Sequence, residues 1–369
     1  MNILVTGSNG FIAKNLIQYF SEYPQIKILT FNKDSTLIDL EESILHADWI
    51  IHLAGVNRPL MESEFIVGNI SITQKIADIL QKNKKLTPII FSSSIQVEYD
   101  NLYGQSKLAG EHVLLDLMQK QGNPIYICRL ANVFGKWSRP NYNSAVATFC
   151  YNIANDLPVS IHNENSIIRL IYIDDVIETF WNIIQNHTEV KSIFTIEPEY
   201  QIKVGDLVKT IENFKNSRYT LVTEEVGTGL IRALYSTYLS FLNVNQFDYN
   251  IPKYEDERGI FVEMLKTKDS GQFSYFTAHP AVTRGGHYHH SKTEKFLVIK
   301  GTALFKFKHI ISQEYYQLKV SGENPQIVET IPGWTHDITN IGDNELIVML
   351  WANEIFDREK PDTYAMPLN

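Results

Sequence analysis

The clearest chemical signal in the chain is a tyrosine and a lysine four residues apart, Tyr103 and Lys107. On a helix, this spacing puts both side chains on one face within a turn. A phenol with an ordinary pKa of about 10 exchanges its proton poorly at neutral pH, and a neighbouring ammonium lowers that pKa. The pair indicates a proton-transfer site, although the same spacing also occurs by chance on solvent-exposed helices.

A second candidate site lies near the N-terminus, where an apolar run ends in a glycine-rich loop. The loop reads Thr6-Gly7-Ser8-Asn9-Gly10-Phe11-Ile12-Ala13. Its glycines permit a tight turn, and the amide groups freed at the start of a following helix favour a pyrophosphate. We therefore expect contacts to a dinucleotide from Gly7, Asn9, Gly10, Phe11 and Ile12.

The residues at the end of the second predicted strand help to distinguish an NAD site from an NADP site. Sites that prefer NAD usually carry an acid here, which binds the ribose 2′-hydroxyl. This chain reads Phe31-Asn32-Lys33-Asp34, and the Lys33 cation suits the 2′-phosphate of NADP. The alternative is a solvated loop lysine beside Asp34. The sequence favours NADPH.

A third candidate site combines His287, His289, Glu294 and His336. On a strand, His287 and His289 point to the same side. A carboxylate and a third imidazole from neighbouring strands then complete a ligand set for a divalent metal. His290 is an alternative to His289, because periodicity does not fix the register. The donors suit zinc, iron, manganese or nickel, and zinc is the ion that we expect.

The elements that position the first two sites alternate between strands and helices. The predicted strands are Asn2–Thr6, Lys27–Phe31, Trp49–Leu53, Pro88–Ser92 and Ile125–Leu130, and the predicted helices are Phe11–Phe20, Met61–Lys82 and Tyr103–Gln119. This alternation predicts an α/β, doubly wound parallel sheet of the Rossmann type.

After about residue 250, short apolar runs are separated by Gly, Pro, Asn and Asp. The predicted strands here include Gly259–Leu265, Glu294–Ile299, Ala303–Lys308 and Leu346–Trp351. This pattern predicts an all-β antiparallel barrel. We expect residues 1–245 to form a dinucleotide-binding domain and residues 246–369 to form the barrel domain.

The composition excludes several classes of partner. The chain has 369 residues, 33 basic and 42 acidic side chains, a formal net charge of −9, and two cysteines, Cys128 and Cys150. An acidic balance argues against nucleic acid or anionic lipid as a partner, and two cysteines are too few for a disulfide framework. No apolar run approaches the roughly 18 residues of a membrane span, and the N-terminus does not read as a secretion signal. We expect a cytoplasmic protein with no membrane partner.

The first half resembles the extended short-chain dehydrogenases/reductases. The likeness rests on the glycine loop, on segments 52–55 and 91–94, on the Tyr103/Lys107 pair and on segment 129–135. It implies that Tyr103 protonates the substrate oxygen, while Lys107 tunes the phenol and holds the nicotinamide ribose. It also implies that Ser94, with Ser93 as the alternative, orients the substrate carbonyl.

The same resemblance implies further contacts. Asp39 and Leu40 look like the acidic pair that contacts adenine. The loop beneath the cofactor is matched by Leu53, Ala54 and Gly55. Asn132 matches an asparagine that contacts the substrate in relatives that act on nucleotide sugars.

The second half resembles the cupin superfamily, and in particular the deoxysugar C3/C5 epimerases that act on dTDP-4-keto-6-deoxysugars. The likeness runs across segments 256–263, 284–288 and 332–336. In those epimerases the histidine that matches His287 abstracts a proton next to a ketone without a metal. His287 therefore has two candidate roles, metal ligand and catalytic base.

Over the whole chain, the combination resembles bifunctional enzymes of bacterial capsular polysaccharide synthesis. It implies C3 epimerisation of UDP-2-acetamido-2,6-dideoxy-β-L-arabino-hexos-4-ulose in the cupin domain. NADPH-dependent reduction at C4 then gives UDP-2-acetamido-2,6-dideoxy-β-L-talose, on the route to UDP-N-acetyl-L-fucosamine. A homodimer is expected. The alternatives are a nucleotide-sugar epimerase or dehydratase that retains NAD, a cofactor-sensing regulator whose cupin binds a ligand, and a metal-dependent dioxygenase.

Overall fold

The computed structural model divides the chain into two compact units. It describes residues 1–57, 61, 63–186, 193–243, 246, 249–289, 292–310, 312–330, 333–359 and 361–368. The first unit comprises Met1–Ile211 and Thr228–Leu242, and the second comprises Glu212–Gly227 and Asn243–Asn369. The predicted division at residue 245 stays a prediction, and these units differ from it in segment 212–227. Its short strand pairs there with a barrel strand.

The first unit is built on a six-stranded parallel sheet. Its strands are β1 (Asn2–Thr6), β2 (Lys27–Phe31), β3 (Trp49–His52), β4 (Ile89–Ser94), β5 (Ile125–Leu130) and β8 (Ile193–Phe194), in the order β2-β1-β3-β4-β5-β8. A smaller sheet joins β6 (Asn132–Phe134), β7 (Ile167–Tyr172) and β9 (Tyr200–Lys203). The predicted parallel sheet is confirmed, and the five predicted strands match within two residues at each end.

Helices connect these strands. They are α1 (Phe11–Phe20), α2 (Leu37–His46), α3 (Ser63–Phe65), α4 (Ile72–Lys82), α5 (Leu102–Gln121), α6 (Ala145–Ala154), α7 (Ile173–Gln185), α8 (Val204–Thr220) and α9 (Gly229–Leu239). A π-helix at Ile66–Ser71 precedes α4, and a 3₁₀-helix at Ile95–Glu98 follows β4. The helix predicted over 61–82 is found from Ser63 to Lys82 as α3, the π-helix and α4 in direct succession, and the π-helical turn was not predicted. None of the helices described is long and apolar enough to cross a membrane.

A core cluster packs the sheet against α2, α4 and α5. From the strands come Leu4, Ile50, Ile89 and Ile127, all fully buried, and the helices add further aliphatic side chains. Truncating one such leucine or isoleucine to alanine costs about 2–5 kcal/mol. Because parallel strands all point one way, the carboxyl ends of β1, β3 and β4 meet at one edge of this rigid sheet. That edge carries the glycine loop, segment 53–55 and Ser94.

The second unit consists of two mostly antiparallel sheets. One contains β10 (Val222–Thr223), β11 (Tyr254–Asp256), β12 (Gly259–Thr267), β13 (Gly271–Ala278), β15 (Glu294–Lys300), β18 (Ile327–Glu329) and β20 (Leu346–Ala352). The other contains β14 (Thr283–Tyr288), β16 (Thr302–His309), β17 (Tyr315–Ser321), β19 (Trp334–Asn340) and β21 (Tyr364–Ala365). Alternate residues such as Ala303, Phe305 and Phe307 enter a common core. The predicted all-β fold is confirmed.

Candidate active sites

The glycine loop lies where β1 passes into α1. Gly7 has a φ of +67°, and a Cβ there would lie 2.8 Å from the backbone N and Cα of Ala54. Only glycine accommodates both the left-handed backbone and this close approach. Gly10 precedes α1 with no side-chain cap, so the first amides of the helix have no side-chain partner and can bind an anion. This cradle fits the predicted pyrophosphate. Among its neighbours, Asn9 is exposed, and Phe11 and Ile12 are half-buried.

A one-way chain of hydrogen bonds supports segment 53–55. Because the backbone carbonyl of Asn69 can only accept, the Thr73 hydroxyl donates to it (2.6 Å). Thr73 Oγ1 then accepts from His52 Nε2 (2.9 Å), so His52 Nδ1 accepts from the Thr6 hydroxyl (2.7 Å). Thr6 Oγ1 in turn accepts from the Ala54 amide (3.1 Å). Burial lowers the pKa of His52 to about 3, which keeps this ring neutral.

Asn69 was not anticipated from the sequence. It lies in the π-helix, is almost fully buried, and its Oδ1 accepts from the Val56 amide (2.7 Å). Its Nδ2 donates to Ser106 Oγ (2.8 Å), next to Lys107 on α5. A polar residue in an apolar helical pattern was the available signal. Asn69 fixes the distance between the loop beneath the predicted cofactor and the helix that carries Tyr103.

Tyr103 and Ser94 come together at the carboxyl end of β4. The Ser94 hydroxyl accepts from the Gln96 amide (3.1 Å) at the start of the 3₁₀-helix, and it also hydrogen-bonds the phenol of Tyr103. Burial raises the pKa of Tyr103 to about 12, and the Ser94 hydrogen bond opposes this rise. Lys107 is not among the groups that shift this pKa, and its expected effect on the phenol stays a prediction. The phenol is protonated at neutral pH, which is the state that a proton donor requires.

Lys107 is held against the end of β4 by two contacts. Its Nζ donates to the Ser92 carbonyl (2.9 Å) and lies 5.1 Å from the centre of the Phe91 ring. Burial lowers the pKa of Lys107 to about 8, and the charge of Glu111 opposes this shift. A Cβ at position 55 would lie 3.1 Å from this Nζ, so Gly55 leaves the ammonium accessible from the loop beneath the cofactor.

Glu111 anchors α5 to the sheet. It is fully buried and accepts two hydrogen bonds from Arg129 on β5, at 3.0 and 2.7 Å, and a third from the Ser93 hydroxyl. Ser93 is therefore engaged in this network, whereas Ser94 contacts Tyr103. The geometry favours Ser94 over Ser93 as the substrate-facing hydroxyl.

Replacing Glu111 with glutamine should destabilise the protein and move its pH profile. Breaking a buried ion pair leaves the charge of the remaining partner uncompensated, which costs about 3–5 kcal/mol when both partners are buried. Because Arg129 is a quarter exposed, we expect the free energy of unfolding to fall by about 2–3 kcal/mol. Loss of the Glu111 charge should also lower the pKa of Lys107 further. Turnover that needs the ammonium is lost as pH rises through that pKa, so the alkaline limb moves to lower pH.

Thermal unfolding and a kcat/KM profile from pH 6 to 10 check both effects. Asp116→Asn, which removes an exposed ion pair with Lys120 on the same helix, is the matched control. An unmoved alkaline limb in a destabilised Glu111→Gln protein would show that Glu111 has a structural role only.

The other residues of the first unit that we predicted to contact cofactor or substrate differ in burial and in hydrogen bonding. Lys33 is exposed in the loop after β2. The Asp39 carboxylate accepts from the Thr36 amide (2.7 Å) in a capping box, whose hydrogen bonds lower the pKa of Asp39, and Leu40 is fully buried in the core. Asn132 Nδ2 donates to the Arg169 carbonyl (2.8 Å). Their roles toward adenine and substrate stay predictions.

The four predicted metal-ligating residues of the second unit form one cluster. One ligand atom from each of His287, His289, Glu294 and His336 lies within 4.8 Å of the others. His287 on β14 and His336 on β19 are direct cross-strand partners, with ring centres 4.7 Å apart. Glu294 begins β15, so two sheets contribute to the cluster. His290 lies outside the described residues.

The hydrogen bonds of this cluster fit a bound cation. His289 Nδ1 donates to the Asp362 carbonyl (2.6 Å), so a neutral ring presents the lone pair of Nε2 to Glu294 Oε2, 3.1 Å away. His336 Nε2 lies 3.3 Å from the same oxygen. Facing lone pairs repel unless a proton or a metal ion lies between them. Burial alone would raise the pKa of Glu294, but the two histidines hold it below its ordinary value.

His287 differs from the other three members in accessibility. It is half-buried, whereas His289, Glu294 and His336 are buried. Burial, with the neighbouring His336, lowers the pKa of His287 to about 4. A neutral imidazole that solvent can reach has the lone pair needed either to bind a metal or to accept a proton.

Comparison with known proteins identifies the family. The model for the NAD dependent epimerase/dehydratase family matches residues 3–196, and that for the polysaccharide biosynthesis C-terminal domain matches residues 254–364. The chain belongs to the NAD-dependent epimerase/dehydratase family. The resemblance of the first half to extended reductases is thereby confirmed.

Relatives of this family member match over its full length. The chain is 55% identical to the UDP-2-acetamido-2,6-beta-L-arabino-hexul-4-ose reductase of Pseudomonas aeruginosa, over 99% of this chain and 98% of that protein. The capsular polysaccharide assembling protein CapF of Staphylococcus aureus superposes with a TM-score of 0.91 at 39% identity, covering both chains completely. The resemblance to capsular polysaccharide enzymes is therefore confirmed, and the protein is an oxidoreductase of the nucleotide-sugar class.

Other solved structures match about two thirds of the chain. The UDP-glucuronic acid 4-epimerase of Bacillus cereus in complex with NAD has a TM-score of 0.57 at 20% identity, over 65% of this chain and 98% of that one. At this identity the match supports the fold of the first unit.

Proposed function

We propose that the protein is a bifunctional nucleotide-sugar enzyme. Its second unit epimerises C3 of UDP-2-acetamido-2,6-dideoxy-β-L-arabino-hexos-4-ulose. Its first unit reduces the C4 ketone with NADPH to UDP-2-acetamido-2,6-dideoxy-β-L-talose, on the route to UDP-N-acetyl-L-fucosamine. The observation that supports the proposal is that one chain holds two separate groups of side chains suited to proton transfer, Ser94 with Tyr103 and the His287 cluster. The name of the Pseudomonas aeruginosa relative supports the reductase half.

In the reductase site, the residues bind, orient and protonate. NADPH supplies the hydride when bound. The Ser94 hydroxyl orients the C4 oxygen, and Tyr103, whose phenol is protonated at neutral pH, gives its proton to that oxygen. Lys107 holds the nicotinamide ribose through its ammonium, and the Glu111 carboxylate helps to keep that ammonium protonated.

In the cupin site, the residues move a proton at carbon. The hydrogen at C3 is acidic because the C4 ketone stabilises the carbanion. We assign its removal to His287, the accessible member of the cluster, and the metal to His289, Glu294 and His336. A divalent metal, zinc in our proposal, supplies positive charge that stabilises the enolate oxygen when bound. A proton delivered from solvent to the opposite face inverts C3, and His287 releases the proton that it removed to solvent.

The full chain tests this function directly. Purified protein is supplied with the UDP-4-ketosugar and NADPH, and the product is identified by NMR. We expect stoichiometric NADPH oxidation and the talo product. A product that keeps the original C3 configuration would remove the epimerase half, and turnover with no net NADPH consumption would support an enzyme that retains and recycles NAD. Sedimentation of the same preparation tests the expected homodimer.

Lys33 should set the cofactor preference. Because a charge-assisted hydrogen bond contributes about 1.5 kcal/mol, Lys33→Ala should raise KM for NADPH about tenfold and leave KM for NADH unchanged. Lys75→Ala, at an exposed position on α4, is the control. Equal effects on both cofactors would show that Lys33 does not contact the 2′-phosphate.

A further inference from the structure

The C-terminal segment 361–366, here called the strap, runs along the histidine cluster. Its strand β21 pairs antiparallel with β14, which places Ala365 opposite His287 and Tyr364 opposite Tyr288. The Tyr288 and Tyr364 rings stack with centres 5.3 Å apart. The strap therefore completes the sheet at the strand that carries His287.

The strap also contacts the segment that carries His289. The Asp362 carbonyl accepts from His289 Nδ1 (2.6 Å), and the Asp362 carboxylate accepts from the Lys292 amide (2.9 Å). Lys292, which is almost fully buried, donates from Nζ to Thr363 Oγ1 (3.1 Å). Asp362 has a φ of +35°, a conformation that Asp and Asn tolerate better than other side chains. The backbone at Asp362 is therefore held from its carbonyl and from its carboxylate.

The strap contacts Thr335, the neighbour of His336 in sequence. Thr335, fully buried beside His336 on β19, donates to the Met366 carbonyl (2.5 Å). The Met366 amide donates to the Gly286 carbonyl (2.8 Å), next to His287. The strap thus contacts a residue at or beside all three histidines of the cluster.

We propose that the strap is the element that positions this cluster for metal binding, with Asp362 as its principal positioning residue. The Asp362 carbonyl fixes the tautomer of His289 that turns the Nε2 lone pair toward Glu294. The Asp362 carboxylate holds that carbonyl in place. Partners of this kind, which orient a metal-binding histidine through its other ring nitrogen, typically contribute 10- to 100-fold to metal affinity. The inference rests on the metal site of the proposed function.

Zinc affinity of the full-length protein tests the strap. Apo protein competes for zinc with a chromophoric chelator, which yields a dissociation constant. We expect Asp362→Ala to weaken zinc binding at least tenfold. Asp362→Asn, which keeps an acceptor oxygen and tolerates the same backbone conformation, should restore affinity to within about threefold. Asp343→Ala, at an exposed acid in the turn between β19 and β20, should bind zinc as the wild type does.

A shortened chain that lacks residues 361–369 provides a second, larger perturbation. If it folds, as judged by near-ultraviolet circular dichroism, it should bind zinc at least 100-fold more weakly. If it does not fold, the comparison of Asp362→Ala with Asp362→Asn decides alone. Unchanged affinity in Asp362→Ala, with zinc bound by the wild type, would overturn the role of the strap. A wild type that binds no zinc would overturn the metal site and this inference together.

Discussion

Tyr103→Phe should lower kcat for NADPH-dependent reduction by about 10²- to 10⁴-fold, the usual contribution of a positioned general acid. The substitution keeps the aromatic ring, which packs 6.0 Å from the Phe65 ring, and removes only the hydroxyl that contacts Ser94. NADPH affinity should stay near that of the wild type, because Lys107 and the glycine loop are unaltered. Stopped-flow measurement of NADPH oxidation with the UDP-4-ketosugar, with fluorescence titration of NADPH, separates the two quantities.

Tyr99→Phe is the matched control for this experiment. Tyr99 is half exposed, four residues before Tyr103, and its loss should leave kcat unchanged. Tyr103→Phe that oxidises NADPH at the wild-type rate would show that the proton comes from another group. An equal loss in NADPH affinity would instead point to a disturbed cofactor site.

His287→Asn should abolish most epimerisation while the metal stays bound. With the base removed, deuterium exchange at C3 in heavy water without NADPH should slow by about 10²- to 10⁴-fold. The metal content should remain near that of the wild type, because His289, Glu294 and His336 are unaltered. Mass spectrometry of the sugar and elemental analysis of the same protein preparation give both values.

Two outcomes of this experiment would contradict the assignment. Loss of the metal together with exchange would make His287 a ligand and place the base elsewhere. Exchange that survives removal of both His287 and His336 would mean that the cluster is not the epimerase site. His279→Asn, at an exposed histidine of the same unit, controls for the substitution itself.

The sequence predicted the sheets better than it predicted their connections. Strands such as Ile125–Leu130 are short apolar runs whose length and flanking residues agree with burial on both faces, so their bounds were found. The π-helix at Ile66–Ser71 was not predicted, because it changes the hydrogen-bond spacing without leaving a distinct residue pattern. The grouping of segment 212–227 with the second unit has no signal in the sequence, because part of this segment continues the helix α8.

In the candidate sites, too, contacts between residues close in sequence were predicted more completely than contacts between residues far apart in sequence. His287, His289 and Glu294 are close in sequence, so spacing alone predicted that they lie together, and the structure places His336 with them. Asp362 lies 73 residues from the histidine that it orients, and no local pattern connects the two. Sequence spacing also does not show that the Lys107 ammonium donates to the Ser92 carbonyl.

The fixed direction of the hydrogen bonds around His52 has a consequence for how the enzyme responds to acid. Each donor in this series of hydrogen bonds has one fixed acceptor. The His52 imidazole in its middle takes up a second proton only near pH 3. Acidification through the range where ordinary histidines ionise therefore leaves these hydrogen bonds unchanged. We expect any loss of reduction between pH 5 and 7 to originate in the substrate or in other side chains, and not in the support that His52 gives to segment 53–55.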